Sequence, residues 1–297
     1  MVLAHQISNM DARDIKDPVP VIKDGRYLEN IYSLQKELID HYVKIEGLPQ
    51  YPIDVNTKKS QVIIKDFVGR VIEELAEGYE SMILIDELSI KNLSWTYQYN
   101  GMEFNQCINH LQNVSEEMAD AMHFMTELLI FVNIQPEDIL AYIKKETGDK
   151  FDSLFQTVGN YYDVIDISMK YGAALFTKEM DINNRGIDLL RVQSMDFLSD
   201  IQLYQAAHIY NHNFYVQFKE ALWDVTYHLN IARNFLKNKP WKQSQMMTDE
   251  IRFQAEIVKG FIKMMGAFSL IDITSENLFH IYFKKNRANA FRIRSNY

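Results

Sequence analysis

The chain has 297 residues, 47% of them apolar, enough to build a substantial core in one large domain or two small ones. Its net charge of −9 excludes a general basic field for nucleic acid, and a single cysteine, Cys107, excludes an intrachain disulfide framework and fits a reducing compartment. With 11 Gly and 6 Pro, the chain has too few breakers for a many-stranded β protein, and apolar residues recur at spacings of three and four, so the expected fold is all-α, a helical bundle.

The first residues, MVLAHQISNMDARDIKDPVP, have no basic start followed by an apolar run, and no later segment approaches the roughly 18 uncharged apolar residues of a membrane span. The expectation is an unprocessed cytoplasmic protein with no membrane contact. Pro18 and Pro20 mark an extended leader over 1–24. Residues 25–47 then read as an amphipathic helix ending near Gly47, and Pro49 and Pro52 mark a connection. A second long helix is expected over 59–88, a loop or broken helix over 91–105, and a third helix over 107–132. Pro136 begins a short helix with Glu137 and Asp138 in its first turn, where the helix dipole favours anions. Further helices are expected over 151–178, 187–206, 210–237, 247–270 and 275–285.

Residues 117–145 align without gaps on 256–284, matching Glu117 with Glu256, Met125 with Met264, Ile134 with Ile273, Glu137 with Glu276 and Lys145 with Lys284. These five identities leave two explanations open, an internal duplication or the common patterning of packed helices. If it is a duplication, the second copy has lost its acids, because Asp120 aligns with Lys259 and His123 with Ile262.

The stretch EELAEGYESM (73–82) carries four glutamates on a helix that also carries Val71, Ile72, Leu75 and Met82. Glu74 and Glu77 are three apart and share a face; Glu117 and Asp120 repeat that spacing on the third helix, among Ala119, Met122, Phe124 and Met125. Two such pairs facing one another would repel and resist ionisation unless cations lay between them, and Mg²⁺ prefers oxygen ligands while retaining water. Glu74, Glu77, Glu117 and Asp120 are therefore the candidate metal ligands, with Glu74 and Glu77 as the candidates for proton transfer. Other registers, Glu73 with Glu77, Glu77 with Glu80 or Glu116 with Asp120, are geometrically open, as is a solvated helix face. A di-iron centre would require paired Glu-x-x-His units, and the chain has no Glu-x-x-His and only one Asp-x-x-His, at Asp120 and His123. Taken alone, His123 reads as a hydrogen-bonded wall residue.

Glu74-x-x-Glu77 followed by Glu117-x-x-Asp120-x-x-His123-Phe124 resembles the all-α nucleoside triphosphate pyrophosphohydrolases. The terminal IYFKKNRANAFRIRSNY (281–297) is similar to the closing segment of the dimeric dUTPase and phage dCTPase family within them, through Tyr282, Phe283, Lys285, Asn286, Asn289, Arg292 and Tyr297. LQKEL (34–38) resembles the family's Leu-Gln-x-x-Leu helix, and Trp95 falls between the acidic motifs where the family has a Trp. The family's Asn after that helix motif is Ile39 here, the Gly before the final Tyr is Asn296, and the gap from Glu77 to Glu117 is longer than usual. The resemblance covers about a third of the chain and leaves 148–245 unassigned.

It implies a single domain over 25–297, with catalytic helices over 25–147, a helical insertion and degenerate half over 148–285, and a phosphate-binding tail over 286–297. The implied reaction is hydrolysis of a pyrimidine deoxynucleoside triphosphate, dUTP or alternatively dCTP, to the monophosphate and pyrophosphate, with two or more Mg²⁺ ions, or Mn²⁺, in a homodimer. Gln35 would meet the base and Trp95 would stack on it or line the pocket; Lys285 and Arg292 would offset the triphosphate's charge, Asn286 and Asn289 would bond sugar or phosphate, and His123 and Tyr297 complete the implied substrate-binding set. A non-catalytic nucleotide-binding protein with the same fold is the competing class.

Overall fold

The structure, a computed structural model, describes residues 15–91, 101–155, 163–179, 212–238, 241, 243, 246–271 and 273–294. Among these residues there is no strand. Helix α1 (Tyr27–Glu46) buries Leu28, Ile31, Leu38 and Ile39 and stops at Gly47, whose φ of 66° is open to glycine and costly for other residues. Helix α2 (Lys58–Lys91) starts where the Thr57 hydroxyl accepts the Ser60 N–H at 3.1 Å. Helix α3 is Gly101–Phe131, so 101–105, expected in a loop or broken helix, are helical; the rest of that polar stretch, residues 92–100, lies outside the described residues.

After a short turn comes α4 (Pro136–Thr147), where the Asp138 carboxylate accepts the Gln135 N–H at 2.8 Å. A 3₁₀ turn (Gly148–Lys150) leads into the single-turn α5 (Phe151–Leu154). The continuous helix expected over 151–178 is broken, because Phe155 turns to an extended conformation and α6 (Val164–Glu179) starts afresh. Asp163 sets that start, its Oδ1 accepting the N–H groups of Ile165 at 2.9 Å and Asp166 at 3.4 Å. The helix expected over 187–206 lies outside the described residues. Helix α7 is His212–Phe235, and α8 (Glu250–Leu270) is capped by Asp249, which accepts the Arg252 N–H at 3.2 Å. Helix α9 (Ser275–Arg294) runs well past the expected end at 285. The segment expected as a separate tail is therefore helical to Arg294, because Tyr282, Phe283, Asn286 and Ala288 are buried and bind this stretch to the bundle.

Two antiparallel pairs organise the bundle. In the first, Phe67 of α2 stacks on Phe131 of α3, Gly78 faces Val114 and Met118, and Ser81 accepts from the Asn113 amide at 2.7 Å. In the second, Asp224, His228 and Leu229 of α7 face Lys263, Glu256 and Gly260 of α8. One cluster of buried apolar residues runs through both pairs. Helix α6 crosses α8 with backbone against backbone: a Cβ on Gly172 would lie 2.3 Å from the Ile262 carbonyl oxygen, and one on Gly266 2.5 Å from the Gly172 carbonyl carbon.

The helix ends follow the offset seen in the sequence. α3 and α8 end 139 residues apart, and α4 and α9 begin 139 residues apart. The intervening turns also share a bond, Ile134 N–H to the Leu129 carbonyl at 2.9 Å and Ile273 N–H to the Phe268 carbonyl at 3.1 Å, at matching positions. Among the described residues no helix is long and apolar enough to cross a membrane.

Candidate functional site

The inner face of α2 carries Val68, Val71, Leu75 and Met82, all buried, and Glu74 lies at the edge of that stripe, half-buried, while Glu73 and Glu80 point outward. Glu77 is exposed as well but turns toward α3: one carboxylate oxygen from each of Glu74, Glu77 and Glu117 can be chosen so that all lie within 4.8 Å of one another. Gly78 makes this approach close, since a Cβ there would lie 2.3 Å from Met118 Cε and 3.4 Å from Glu117 Cβ.

The electrostatics show what such crowding costs. Burial, reinforced by the Asp120 charge and the hydrogen bond to Glu117, pushes the Glu74 carboxyl up to about 8, and burial and Asp120 also raise Glu117. The hydrogen bond between Glu74 and Glu117 favours the proton on Glu74, raising it further while partly offsetting the rise of Glu117. Three converging carboxylates, with Glu77 exposed to solvent, form an oxygen-only donor set that could hold a hard divalent cation and leave it open positions. No histidine joins this cluster among the described residues, so the donor set of a di-iron centre is not assembled there.

Asp120 is placed differently from the three glutamates. It lies one helical turn from Glu117, and its Oδ2 is 2.6 Å from Lys285 Nζ of α9. Burial alone would lower the lysine's pKa, but Asp120, together with Glu116 and Glu117, outweighs it and raises it.

Beside the carboxylates opens a cavity of about 460 Å³, within the range of small-molecule sites. Leu38, Leu48, Val62, Phe67 and Phe124 line its apolar part; Gln35, Arg70, Glu74, Asp120, His123, Asn289 and Arg292 supply polar groups. Arg292 donates to the Asn289 side-chain Oδ1 at 3.2 Å, holding these two α9 side chains together. His123 is buried; burial, then the nearby Lys285 charge, pushes its pKa down to about 3, so the ring is neutral. Its Nδ1 is 3.0 Å from Gln35 Oε1, and its ring stacks on Tyr282 with centroids 3.8 Å apart.

Of the residues singled out from the sequence, the fold thus brings Glu74, Glu77, Glu117, Asp120, Gln35, His123, Lys285, Asn289 and Arg292 into one neighbourhood. Asn286 has another place: it is buried and donates to the Leu34 carbonyl at 3.2 Å, fastening α9 to α1. Trp95 and Tyr297 lie outside the described residues. Two contributors had not been singled out. Arg70 lies one turn before Glu74, pairs with Asp66 at 3.0 Å, and holds its guanidinium 5.5 Å from the Phe124 ring centre. Its i−4 spacing from Glu74 was the available signal. Tyr282, noted only as part of the closing segment, reaches Gln35 across 247 positions of sequence, which no local pattern encodes.

No protein-family model, curated protein or solved structure matches the chain.

Proposed function

We propose that this protein hydrolyses a pyrimidine deoxynucleoside triphosphate, dUTP before dCTP, to the monophosphate and pyrophosphate in the presence of Mg²⁺ or Mn²⁺. The observation that supports it best is the convergence of Glu74, Glu77 and Glu117 beside a nucleotide-sized cavity flanked by Lys285, Arg292 and Arg70. A cluster of acids alone would repel a triphosphate; acids with divalent cations, ringed by basic side chains, attract one. Bound divalent cations would supply charge neutralisation and a water of lowered pKa.

The protein's own groups do the rest. Glu74, Glu77 and Glu117 would hold the cations, with Asp120, paired here with Lys285, as a fourth ligand. Glu74 is assigned as the proton acceptor, a role open to it only once bound cations have displaced the proton it holds in their absence. Arg292 and Arg70 meet phosphate oxygens as planar forks and Lys285 as a point charge. The apolar wall around Phe124 takes the base and excludes water from it. The homodimer implied by the family resemblance belongs to the same reading.

Incubating the purified chain with each deoxynucleoside triphosphate and Mg²⁺ and measuring pyrophosphate tests the proposal. Pyrophosphate released fastest from dUTP is the expected result. Binding without turnover of any of the four would replace the enzyme with a nucleotide-binding protein, and fastest release from dCTP would overturn the choice of base.

A further inference from the structure

The outer face of α8 borders a second opening. Two adjoining hollows, about 230 Å³ and about 380 Å³, share Asn133 and Gln254 and so form one groove between α8, the connection before α2 and the turn into α4. None of its lining residues lines the cavity beside Glu74. Its floor is the edge of the core: Ile53, Val132 and Phe253 under the first lobe, Ile134 and Val258 under the second, all buried.

The polar wall has one sign. Asp54 and Glu250 stand on the first lobe and Asp138 on the second, all exposed, and no Lys or Arg lines either. The two bases of this stretch of α8 are turned to other acids, Arg252 to Asp249 at 3.5 Å and Lys259 to Glu256 at 2.6 Å. Each groove carboxylate is held by one oxygen only. Asp54 Oδ1 accepts the Asn56 N–H, Glu250 Oε1 the Asn56 side-chain amide and Asp138 Oδ2 the Gln135 N–H, each at 2.8 Å. The second oxygen of each lies outside these bonds. Next to Glu250 in sequence, Met247 and Ile251 are 77% and 82% exposed, large apolar side chains of the kind that interfaces cover.

We propose that this groove docks a basic segment of a partner protein, with a lysine or arginine side chain in each lobe and apolar side chains on Met247 and Ile251. Each lobe is near the lower end, about 300 Å³, of small-molecule sites, which suits single long side chains better than a whole cofactor. The aliphatic stem of such a side chain covers the apolar floor while its charged end meets the fixed carboxylates. An acidic segment would meet like charge. A second copy, at a net charge of −9, brings mostly like charge as well. The inference is independent of the nucleotide reading.

The probe is a synthetic amphipathic peptide of leucine and lysine, titrated calorimetrically into the full chain at low salt. Wild type should bind it, and the Asp54→Asn/Glu250→Gln double variant should bind it ~3- to 30-fold more weakly, as expected for two exposed charge pairs. Glu37→Gln/Glu220→Gln, the same charge change on exposed positions of α1 and α7, should stay within about twofold of wild type. Ala255→Phe, which fills the second lobe without altering charge, should weaken binding by about tenfold or more while circular dichroism shows wild-type helicity. Should that variant misfold, the two charge variants decide alone. No binding to wild type, equal losses in the two charge variants, or equal affinity for a leucine–glutamate peptide or for oligolysine overturns the proposal. A wild-type dimer in sedimentation velocity that Ala255→Phe dissociates would give the groove to a second copy and overturn it equally.

Discussion

Lys285 Nζ lies 2.6 Å from Asp120 Oδ2, so the fourth acid of the site is paired with an internal cation, whereas burial and the neighbouring acids raise the carboxyls of Glu74 and Glu117. A divalent cation that takes Asp120 as ligand must displace this ammonium, and a triphosphate offers it new oxygens. Lys285→Met should therefore bind Mn²⁺ more tightly than wild type when nucleotide is absent, yet turn over more slowly when it is present. Isothermal titration with Mn²⁺ alone and a steady-state assay separate the two effects. Both side chains are largely buried, and removing the ammonium from beside Asp120 should cost roughly 1–3 kcal/mol of stability, less than breaking a fully buried pair.

Glu77 is exposed and Asp120 partly so, and neither contributes to the apolar core. Glu77→Gln and Asp120→Asn should thus keep wild-type helicity while turnover falls by roughly two orders of magnitude or more, as expected for groups that act on developing charge. Circular dichroism with the pyrophosphate assay checks both halves. Wild-type rates in both variants would remove them from the site.

The raised carboxyls give stability a defined pH dependence. Between the ordinary glutamate value of 4.5 and about 8, folded Glu74 holds a proton that the unfolded chain has released. Stability therefore falls as pH rises through this window, because the folded state binds more protons than the unfolded one. Glu117 acts in the same direction, as does Asp163, raised to about 8 by burial and Asp166 at a separate place in the bundle. In metal-free buffer Tm should decline from pH 5 to pH 8 at the extremes of that window, and Mg²⁺ should flatten the decline by satisfying the glutamates without touching Asp163. Glu74→Gln should remove the Mg²⁺-sensitive part of the slope. A pH profile unmoved by Mg²⁺ would place no cation at the cluster.

Much of the fold was legible because helix patterning and end signals are local: the stop at Gly47, the start at Pro136 and the apolar stripes on α2 and α3 all lie where the spacing put them. The pairing of Glu74 and Glu77 with Glu117 was legible for the same reason, as carboxylates beside residues that had to be buried. What local pattern does not carry is contact across the chain. Nothing near Lys285 announces Asp120, and nothing near Asn286 announces that its amide donates to the Leu34 carbonyl. α9 looked polar beyond residue 285 because its burying face meets α1 and α3 through only a few residues, Tyr282, Asn286 and Ala288. The break at Phe155 was hidden because Asp163 reads equally well as a helix interior acid until its carboxylate is seen capping α6.

Three glycines carry opposite expectations. At Gly266 a methyl would meet the backbone of α6 at 2.5 Å, and backbone, unlike a flexible side-chain end, has little room to give. Gly266→Ala should destabilise by roughly 1–3 kcal/mol, the usual range for overpacking, and Gly172→Ala by a similar amount. Gly69, inside α2, has nothing within 4 Å of a built Cβ, so Gly69→Ala should stabilise by about 0.5–1 kcal/mol through helix propensity alone. Urea unfolding of the three variants measures the contrast. Equal effects at positions 69 and 266 would mean that α6 and α8 do not cross where these glycines place them.

Glu256 occupies the position that aligns with Glu117 and has the opposite electrostatic fate. Lys259 Nζ lies 2.6 Å from its Oε1 and His228 Nδ1 2.7 Å from its Oε2; together they overcome burial and hold its carboxyl below the ordinary glutamate value. The aligned position in the first pair lacks these neighbours, since Asp120 stands where Lys259 does and Glu74 approaches where His228 does. A carboxylate already neutralised by its own chain gains little from a metal ion, so the α7–α8 pair should not add to the cation stoichiometry set by the α2–α3 pair. Lys259→Ala should leave both that stoichiometry and turnover within about twofold of wild type, and because the lysine is about one-third exposed it should cost no more than ~1 kcal/mol. Mn²⁺ titration followed by the pyrophosphate assay checks this, and a lost cation or a tenfold slower rate would make the second pair part of the working site.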